Sequence, residues 1–314
     1  MSNNMNLLLK TSKKFYHIVM KCNICPRNCD VDRSVCAGFC GQKTIKIQKA
    51  MVHMFEEPII SGTNGSGAIF FSGCNLKCLF CQNYQLSHFG KGTEITCENL
   101  IQIIKKLESK KVHNINFVTP SHFTDEIIKA LKIYKPQIPI VWNTSGYEKP
   151  ETIKKLKDIV DIFLFDIKYF SPILSKEYSG AENYFEYAKK SLIEARKIVP
   201  TDVIENNIMK KGIIVRHLVL PKASSDSIKI LDELNKLLGN KTIVSLLNQY
   251  TPFFKAKQHE ILKNKVTDLE YKRVVHHAIK LGFDNAYVQE KSSQTEEFTP
   301  DFESKFVLED FLNS

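Results

Sequence analysis

Three cysteines within eight residues carry the clearest chemistry in this sequence: Cys74, Cys78 and Cys81, in Ser-Gly-Cys-Asn-Leu-Lys-Cys-Leu-Phe-Cys. A cubane [4Fe–4S] cluster has four irons and is usually held by four thiolates. Three thiolates on one loop leave one iron without a protein ligand. That open iron can bind a small chelating molecule directly, much as a catalytic zinc keeps one position free. The plainer alternatives are a zinc knuckle short of a ligand or a set of reduced buried thiols. The spacing, the strand-like run before the triplet and the aromatic Phe80 before its last cysteine all favour the cluster.

A second group lies upstream. Cys22, Cys25 and Cys29, then Cys36 and Cys40, place five thiols in nineteen residues. Four would complete a tetrahedral site, and a second iron–sulfur cluster or a structural zinc would each accept four thiolates. A metal-free reduced loop is the plain alternative. Cys97, at the start of a helical stretch, has no partner in sequence and reads as structural. Eight of the nine cysteines thus fall in two groups between residues 22 and 81, which in a cytosolic chain reads as metal ligation rather than disulfides.

The elements that must position these groups follow the triplet. Short β-branched or aromatic runs at 68–72, 114–118, 138–142, 160–165, 213–220 and 242–247 alternate with helix-period stretches, and a further apolar run covers 286–289. Leu100, Ile101, Ile104 and Leu107 share one helical face, as do Ile228, Leu231, Leu234 and Leu238, with Asp226 to start that helix and Gly239 to end it. Strands apolar on both faces and separated by helices imply a parallel sheet under helices. Six strand–helix units predict an incomplete (β/α)6 barrel over 66–290, after a cysteine-rich extension (1–65, with the loop 22–41) and before a tail (291–314). Residues 1–20 are a lysine-containing lead-in. Ligands of such sheets bind beyond the C-terminal ends of the strands, so the residues just after each strand are the ones to inspect.

Those residues are polar. The second strand runs into Thr119-Pro120-Ser121, the third into Asn143-Thr144-Ser145-Gly146, the fourth into Asp166-Ile167-Lys168, and the fifth carries Arg216 before Leu-Val-Leu-Pro; the sixth ends in Asn248-Gln249-Tyr250. His217, next to Arg216, points to the opposite face by strand alternation and reads as a core or interface histidine. The triplet C-x3-C-x2-C is similar to that of radical S-adenosylmethionine (SAM) enzymes. The later segments resemble the pyruvate formate-lyase activating-enzyme-like branch, and most closely its stand-alone members, with CPRNC near the start, GSGAIFFSGCNLKCLFCQN, HNINFVTPSH, NTSGYE and RHLVLP. The resemblance implies a cluster on Cys74, Cys78 and Cys81 whose open iron is chelated by the amino and carboxylate groups of SAM. SAM is then cleaved by one-electron reduction to methionine and a 5′-deoxyadenosyl radical that abstracts hydrogen.

It also implies SAM contacts from Phe80, Asn143, Ser145, Asp166, Lys168 and Gln249. Thr119 and Ser121 would offer hydroxyls to the SAM ammonium where many relatives have Gly-Gly-Glu, and Arg216 would pair with the SAM carboxylate. In the upstream group the resemblance favours Cys22, Cys25, Cys29 and Cys40 as ligands, with Cys36 extra.

Bulk properties narrow the setting. The chain has 314 residues, 43% hydrophobic and 25% charged, as in a soluble globular protein. No run approaches the ~18 apolar residues of a membrane span, and the first residues lack a secretory signal, so a cytoplasmic protein is expected. The formal charge of +10 is spread along the chain in pairs such as Lys105-Lys106, which reads as solvated helix faces rather than a nucleic-acid surface. No nucleotide-binding glycine motif follows a strand, so an external reductant such as an acidic flavodoxin or ferredoxin is expected, docking near Lys77. Three readings stand at this point: installation of a glycyl radical on a partner protein; radical modification of another peptide, metabolite or RNA; and a non-catalytic iron–sulfur or zinc module.

Overall fold

Ten strands join one sheet in the computed structural model, which describes residues 21–295, 300, 302 and 306–312. The lead-in 1–20 lies outside the described residues. The strands are β1 (Lys46–His53), β2 (Ser66–Phe71), β3 (Thr93–Glu94), β4 (Ile115–Val118), β5 (Ile140–Thr144), β6 (Ile162–Asp166), β7 (Val203–Glu205), β8 (Ile208–Leu218), β9 (Ile243–Leu247) and β10 (Ala286–Val288). β2, β4, β5, β6, β8, β9 and β10 are parallel neighbours in that order. β1 pairs antiparallel with β2, β3 with β1, and β7 forms a hairpin with β8.

The parallel strands are buried on both faces, and alternation splits their side chains into two layers. Phe117, Trp142, Phe163, Phe165 and Val215 point outward into the main core under the helices. Ile162, Leu164, Val141, Ile214 and Ile243 point inward, where they meet Ile59 and Ile60 of the short helix Pro58–Ser61. One helix touching the inner faces of β5, β6, β8 and β9 requires the sheet to curl around it. The sheet is therefore a partial barrel, open between β10 and β3, and Ile59 and Ile60 plug its floor.

The helices pack as their periodicity demands. Helix Cys97–Ser109 begins at a capping box in which Thr96 and Asn99 satisfy each other's backbone donors, and it buries Leu100, Ile103, Ile104 and Leu107. Helix Ser224–Leu238 starts two residues earlier than Asp226 would place it. The Asp226 carboxylate instead accepts from the backbone N–H groups of Phe170 and Ser171 at 2.9 and 2.8 Å, tying the loop after β6 to the helix after β8.

β1 is a departure from the expected organisation. It falls within the range assigned to the extension, yet it extends the sheet by pairing with β2. It runs antiparallel and so carries the chain down to the N-terminal ends of the parallel strands. Residues 54–61 then turn into the barrel from below.

Candidate active site

β2 delivers the chain to the triplet loop. Gly73 follows it with φ +84°, and a Cβ there would lie 2.6 Å from the Cys40 carbonyl oxygen. Glycine is needed on both counts. Cys74 and Cys78 are buried and Cys81 is half-buried. Each sulfur already accepts a hydrogen bond: Cys74 Sγ from the Leu76 N–H (3.3 Å), Cys78 Sγ from Ser179 Oγ (3.1 Å) and Cys81 Sγ from Ser87 Oγ (3.2 Å). Burial, and next the neighbouring Cys78, push the Cys74 thiol up and the Cys81 thiol up to about 12. Phe80 sits edge-on to the rings of Tyr169 and Tyr250, and Asn75 Nδ2 donates to the Tyr147 carbonyl (2.7 Å), so the loop is braced from two sides.

The three sulfurs face a cavity of about 210 Å³. Its floor is a polar network centred on Arg216. Nε donates to Asp166 Oδ1 (2.7 Å), Nη1 to Glu56 Oε2 (2.8 Å) and Nη2 to Asn143 Oδ1 (2.7 Å). Glu56 Oε1 also accepts from Asn116 and Asn143, and Lys168 Nζ donates to Asp166 Oδ2 at 2.9 Å. Burial opposes the charge of Arg216, but Asp166, Glu57 and Glu56 more than offset it. Burial likewise pushes the Asp166 carboxyl up, yet Arg216 and Lys168 hold it below the usual carboxylate range. Lys168 loses to burial and gains more from Asp166 and then from Cys78, so its ammonium lies between the network and the thiols.

Most residues expected from the sequence line this cavity. Cys74, Cys78, Cys81, Phe80, Thr119, Asn143, Ser145, Asp166, Lys168, Arg216 and Gln249 all border it. Ser145 Oγ is buried with no hydrogen-bond partner, so it is free to meet a ligand. Thr119 takes φ +57°, a left-handed conformation that a β-branched residue holds only under constraint.

Two of the expected residues are engaged by the protein itself. Ser121 is not at the cavity; its hydroxyl donates to the buried Glu148 at 2.6 Å, alongside Thr144 (2.6 Å) and the Trp142 indole (3.3 Å). Arg216 borders the cavity with Nε, Nη1 and Nη2 each on a protein acceptor, and Asp166, Glu56 and Glu57 all lie within ion-pair reach of it. Ser121→Ala should accordingly leave SAM affinity unchanged by calorimetry while lowering stability by ~1–3 kcal/mol, the cost of a buried acceptor losing a donor.

The strand-end rule missed His53 and Glu56, which border the cavity, and Glu57, fully buried within ion-pair reach of Arg216 at 3.8 Å. His53 ends β1, and Glu56 and Glu57 enter from the floor on the segment that follows it. The signal available was a pair of acidic residues beside an apolar Pro-Ile-Ile. His217 is buried on the outer face, as alternation requires, with Nδ1 against the Ile167 carbonyl and Nε2 against Ser227 Oγ; burial pushes it down to about 4.

A parallel partial barrel with three thiols on the loop after its first parallel strand, facing a charged cavity at the strand ends, has the layout of an α/β enzyme with its site at the barrel mouth. Comparison narrows the class. The family model of the Radical SAM superfamily matches residues 68–215. An uncharacterized protein of Methanocaldococcus jannaschii is 30% identical over 280 residues, covering 86% of this chain and 78% of its own. The pyruvate formate-lyase 1-activating enzyme of Escherichia coli is 24% identical over 229 residues, covering 68% of this chain and 82% of that enzyme. Among solved structures, the FeFe-hydrogenase maturase HydG from Carboxydothermus hydrogenoformans matches in fold with a TM-score of 0.50 at 15% identity; the match covers 72% of this chain and 53%, about half, of that one. This chain belongs to the radical SAM superfamily.

Proposed function

We propose that the chain cleaves SAM reductively and uses the radical so formed to abstract hydrogen from a glycine of a partner glycyl-radical enzyme. The observation that carries the SAM chemistry is the convergence of three buried or half-buried thiols and the strand-end polar residues on one cavity. The donor set fits a [4Fe–4S] cluster with one open iron, and the unpartnered Ser145 hydroxyl fits a polar ligand beside it. When bound, the cluster supplies the electron that breaks the S–C bond of SAM to give methionine and the 5′-deoxyadenosyl radical.

The protein's own residues hold and shield. Cys74, Cys78 and Cys81 would ligate three irons, and the donors on their sulfurs would fix the thiolate orientation. Lys168, Ser145 and Thr119 line the cavity; the lysine would meet the SAM carboxylate, and the two hydroxyls would hydrogen-bond the ligand. The rings of Phe55 and Phe70, packed on His53, wall one side of the cavity.

The glycyl-radical substrate is supported by the likeness to activating enzymes at 24% identity. The N-terminal thiol loop packed on the triplet favours a second reading, radical modification of another peptide or metabolite. The reductant is an external one-electron donor of the flavodoxin or ferredoxin class, for which the +10 formal charge suits an acidic partner. The upstream thiols would carry a second metal group, iron–sulfur or zinc. Among the described residues no helix is long and apolar enough to cross a membrane, and grouped reduced thiols suit the cytoplasm.

The test is anaerobic incubation of reconstituted protein with dithionite, SAM and a peptide bearing an α-deuterated glycine from a glycyl-radical loop. Deuterated 5′-deoxyadenosine is expected. Unlabelled 5′-deoxyadenosine with this peptide, but labelled product with a deuterated cell extract, would transfer the reading to another hydrogen donor. No 5′-deoxyadenosine at all would remove the SAM chemistry.

A further inference from the structure

The inner face of β2 needs a cover that the barrel floor does not supply. Ala68 and Phe70 point inward by alternation, whereas Ile69 and Phe71 enter the outer core. Ile59 and Ile60 fill the interior against β5, β6, β8 and β9. β2 and β4 stand on the other side, toward the opening between β10 and β3.

The C-terminal segment covers that side. Phe302 is 5% exposed and packs with Ala68, Phe70, Leu86 and Val118. Its ring meets Phe70 edge-on at 5.3 Å, and its carbonyl accepts from Nε2 of the buried Gln48 on β1 at 2.9 Å. Two residues earlier, Pro300 borders the cavity that Cys74, Cys78 and Cys81 face. The segment is anchored on both sides of the opening. On the β9 side, Gln294 Nε2 donates to Asn248 Oδ1 and to the Val266 carbonyl, both at 3.0 Å, and the Gln294 carbonyl accepts from Lys265 Nζ at 2.8 Å. On the β1 side, Phe306 and Phe311 are buried, and the short helix Glu309–Leu312 lies against helix Cys97–Ser109.

The cavity lining changes character along the sheet. Phe70 and Val118, on β2 and β4, present apolar groups, whereas Asn143, Asp166 and Arg216, on β5, β6 and β8, present the polar network. Pro300 and Phe302 extend the apolar side. Leaving a charged group unpaired against such a wall is costly. A neutral aliphatic C–H bond meets no such cost, and a closed wall also keeps water and small solutes out.

We propose that Pro300 is a specificity-determining residue facing the hydrogen donor, that Phe302 is the positioning residue that holds it there, and that together they admit a neutral C–H donor while shielding the site from small solutes. The role toward the radical rests on the SAM reading above; the closure of the cavity does not. The step concerned is one hydrogen-atom transfer. The donor's C–H bond breaks homolytically, the C5′–H bond of 5′-deoxyadenosine forms, and the unpaired electron stays on the donor carbon.

The test compares the full-length wild type with three variants. Phe302→Ala removes the ring, Gln48→Ala removes only the tether on the Phe302 carbonyl, and Pro300→Ala trims the wall itself. In the metal-free protein, iodoacetamide labelling of Cys74, Cys78 and Cys81, mapped by peptide mass spectrometry, should run at least fivefold faster in Phe302→Ala. Gln48→Ala should move it in the same direction, and labelling of Cys97 should not change. In reconstituted protein given dithionite, SAM and perdeuterated glycerol as the added donor, the fraction of 5′-deoxyadenosine carrying deuterium should rise at least threefold in Phe302→Ala and in Pro300→Ala. Gln48→Ala decides the closure if Phe302→Ala fails to fold. Unchanged labelling of the three cavity thiols, or a rise shared equally by Cys97, overturns the closure. Faster labelling with an unchanged deuterated fraction overturns the shielding role, and a rise in Phe302→Ala without one in Pro300→Ala takes that role away from Pro300. No 5′-deoxyadenosine from any of the four proteins would sink the SAM reading and the role toward the radical with it, while the labelling rates still decide the closure.

Discussion

Replacing Cys74, Cys78 and Cys81 together by alanine is expected to abolish 5′-deoxyadenosine formation and to remove one cluster's worth, about four irons, per chain. The loss should be complete rather than partial, because the electron that breaks the S–C bond has no other route to SAM. The fold should survive. Each thiol is a small group on a loop braced independently by Phe80, by Asn75 and by the Leu79 N–H on the Tyr178 carbonyl at 2.8 Å. Cys97→Ala is the matched control: that residue begins a helix, packs at the edge of the core and does not border the cavity. It should change neither iron content nor turnover. Iron and sulfide analysis, with chromatographic detection of 5′-deoxyadenosine under dithionite, reads all of these, and residual product in the triple variant would remove the cluster from this loop.

The parallel strands were legible because each is short, apolar on both faces and bounded by helical periodicity; Ile162-Phe-Leu-Phe in β6 places Ile162 and Leu164 inward and Phe163 and Phe165 outward. Most of the polar strand-end residues border one cavity, since side chains closing successive parallel strands converge on the same end of the sheet. β1 was not legible. Its sequence, KIQKAMVH, mixes lysines into the run, and its register with β2 shifts between Ile47 and Lys49, so neither period is clean. With β1 unread, the turn of residues 54–61 into the barrel was unread too, and Glu56 and Glu57 were lost with it. Looking only past the C-terminal ends of strands cannot find side chains that rise through the floor. Ser121 failed for a different reason. Its place after β4 suited a ligand contact, but Pro120 opens a 3-10 turn that buries it against Glu148, a residue 27 positions away.

Arg216→Ala should cause the largest loss of stability of any single change at the site. The guanidinium is 15% exposed and neutralises Asp166 and Glu56, which are 25% and 8% exposed. Removing one partner of a buried pair costs ~3–5 kcal/mol, because the other charge stays behind. For a chain of this size that corresponds to a fall in melting temperature on the order of 10 °C. The deficit should depend on pH in a definite sense. In the wild type, Asp166 is held below its usual value, so its contribution is present above the unfolded pKa and is lost only as pH falls through the lower folded one. Without Arg216, only Lys168 is left to offset burial, the largest influence on Asp166, so its carboxyl rises relative to the wild type. The penalty in the variant is then full near neutral pH and fades as falling pH protonates a carboxyl left with Lys168 alone. The gap in melting temperature between wild type and Arg216→Ala should therefore be widest at pH 7–8 and narrow steadily toward about pH 4. Arg216→Lys should recover part of the gap at pH 7, since one ammonium restores the charge but cannot span Asp166, Glu56 and Asn143 together. Differential scanning calorimetry of the three proteins across that range decides the matter: a gap below about 2 °C, or one that stays constant with pH, would show that Arg216 does not hold the floor of the cavity together.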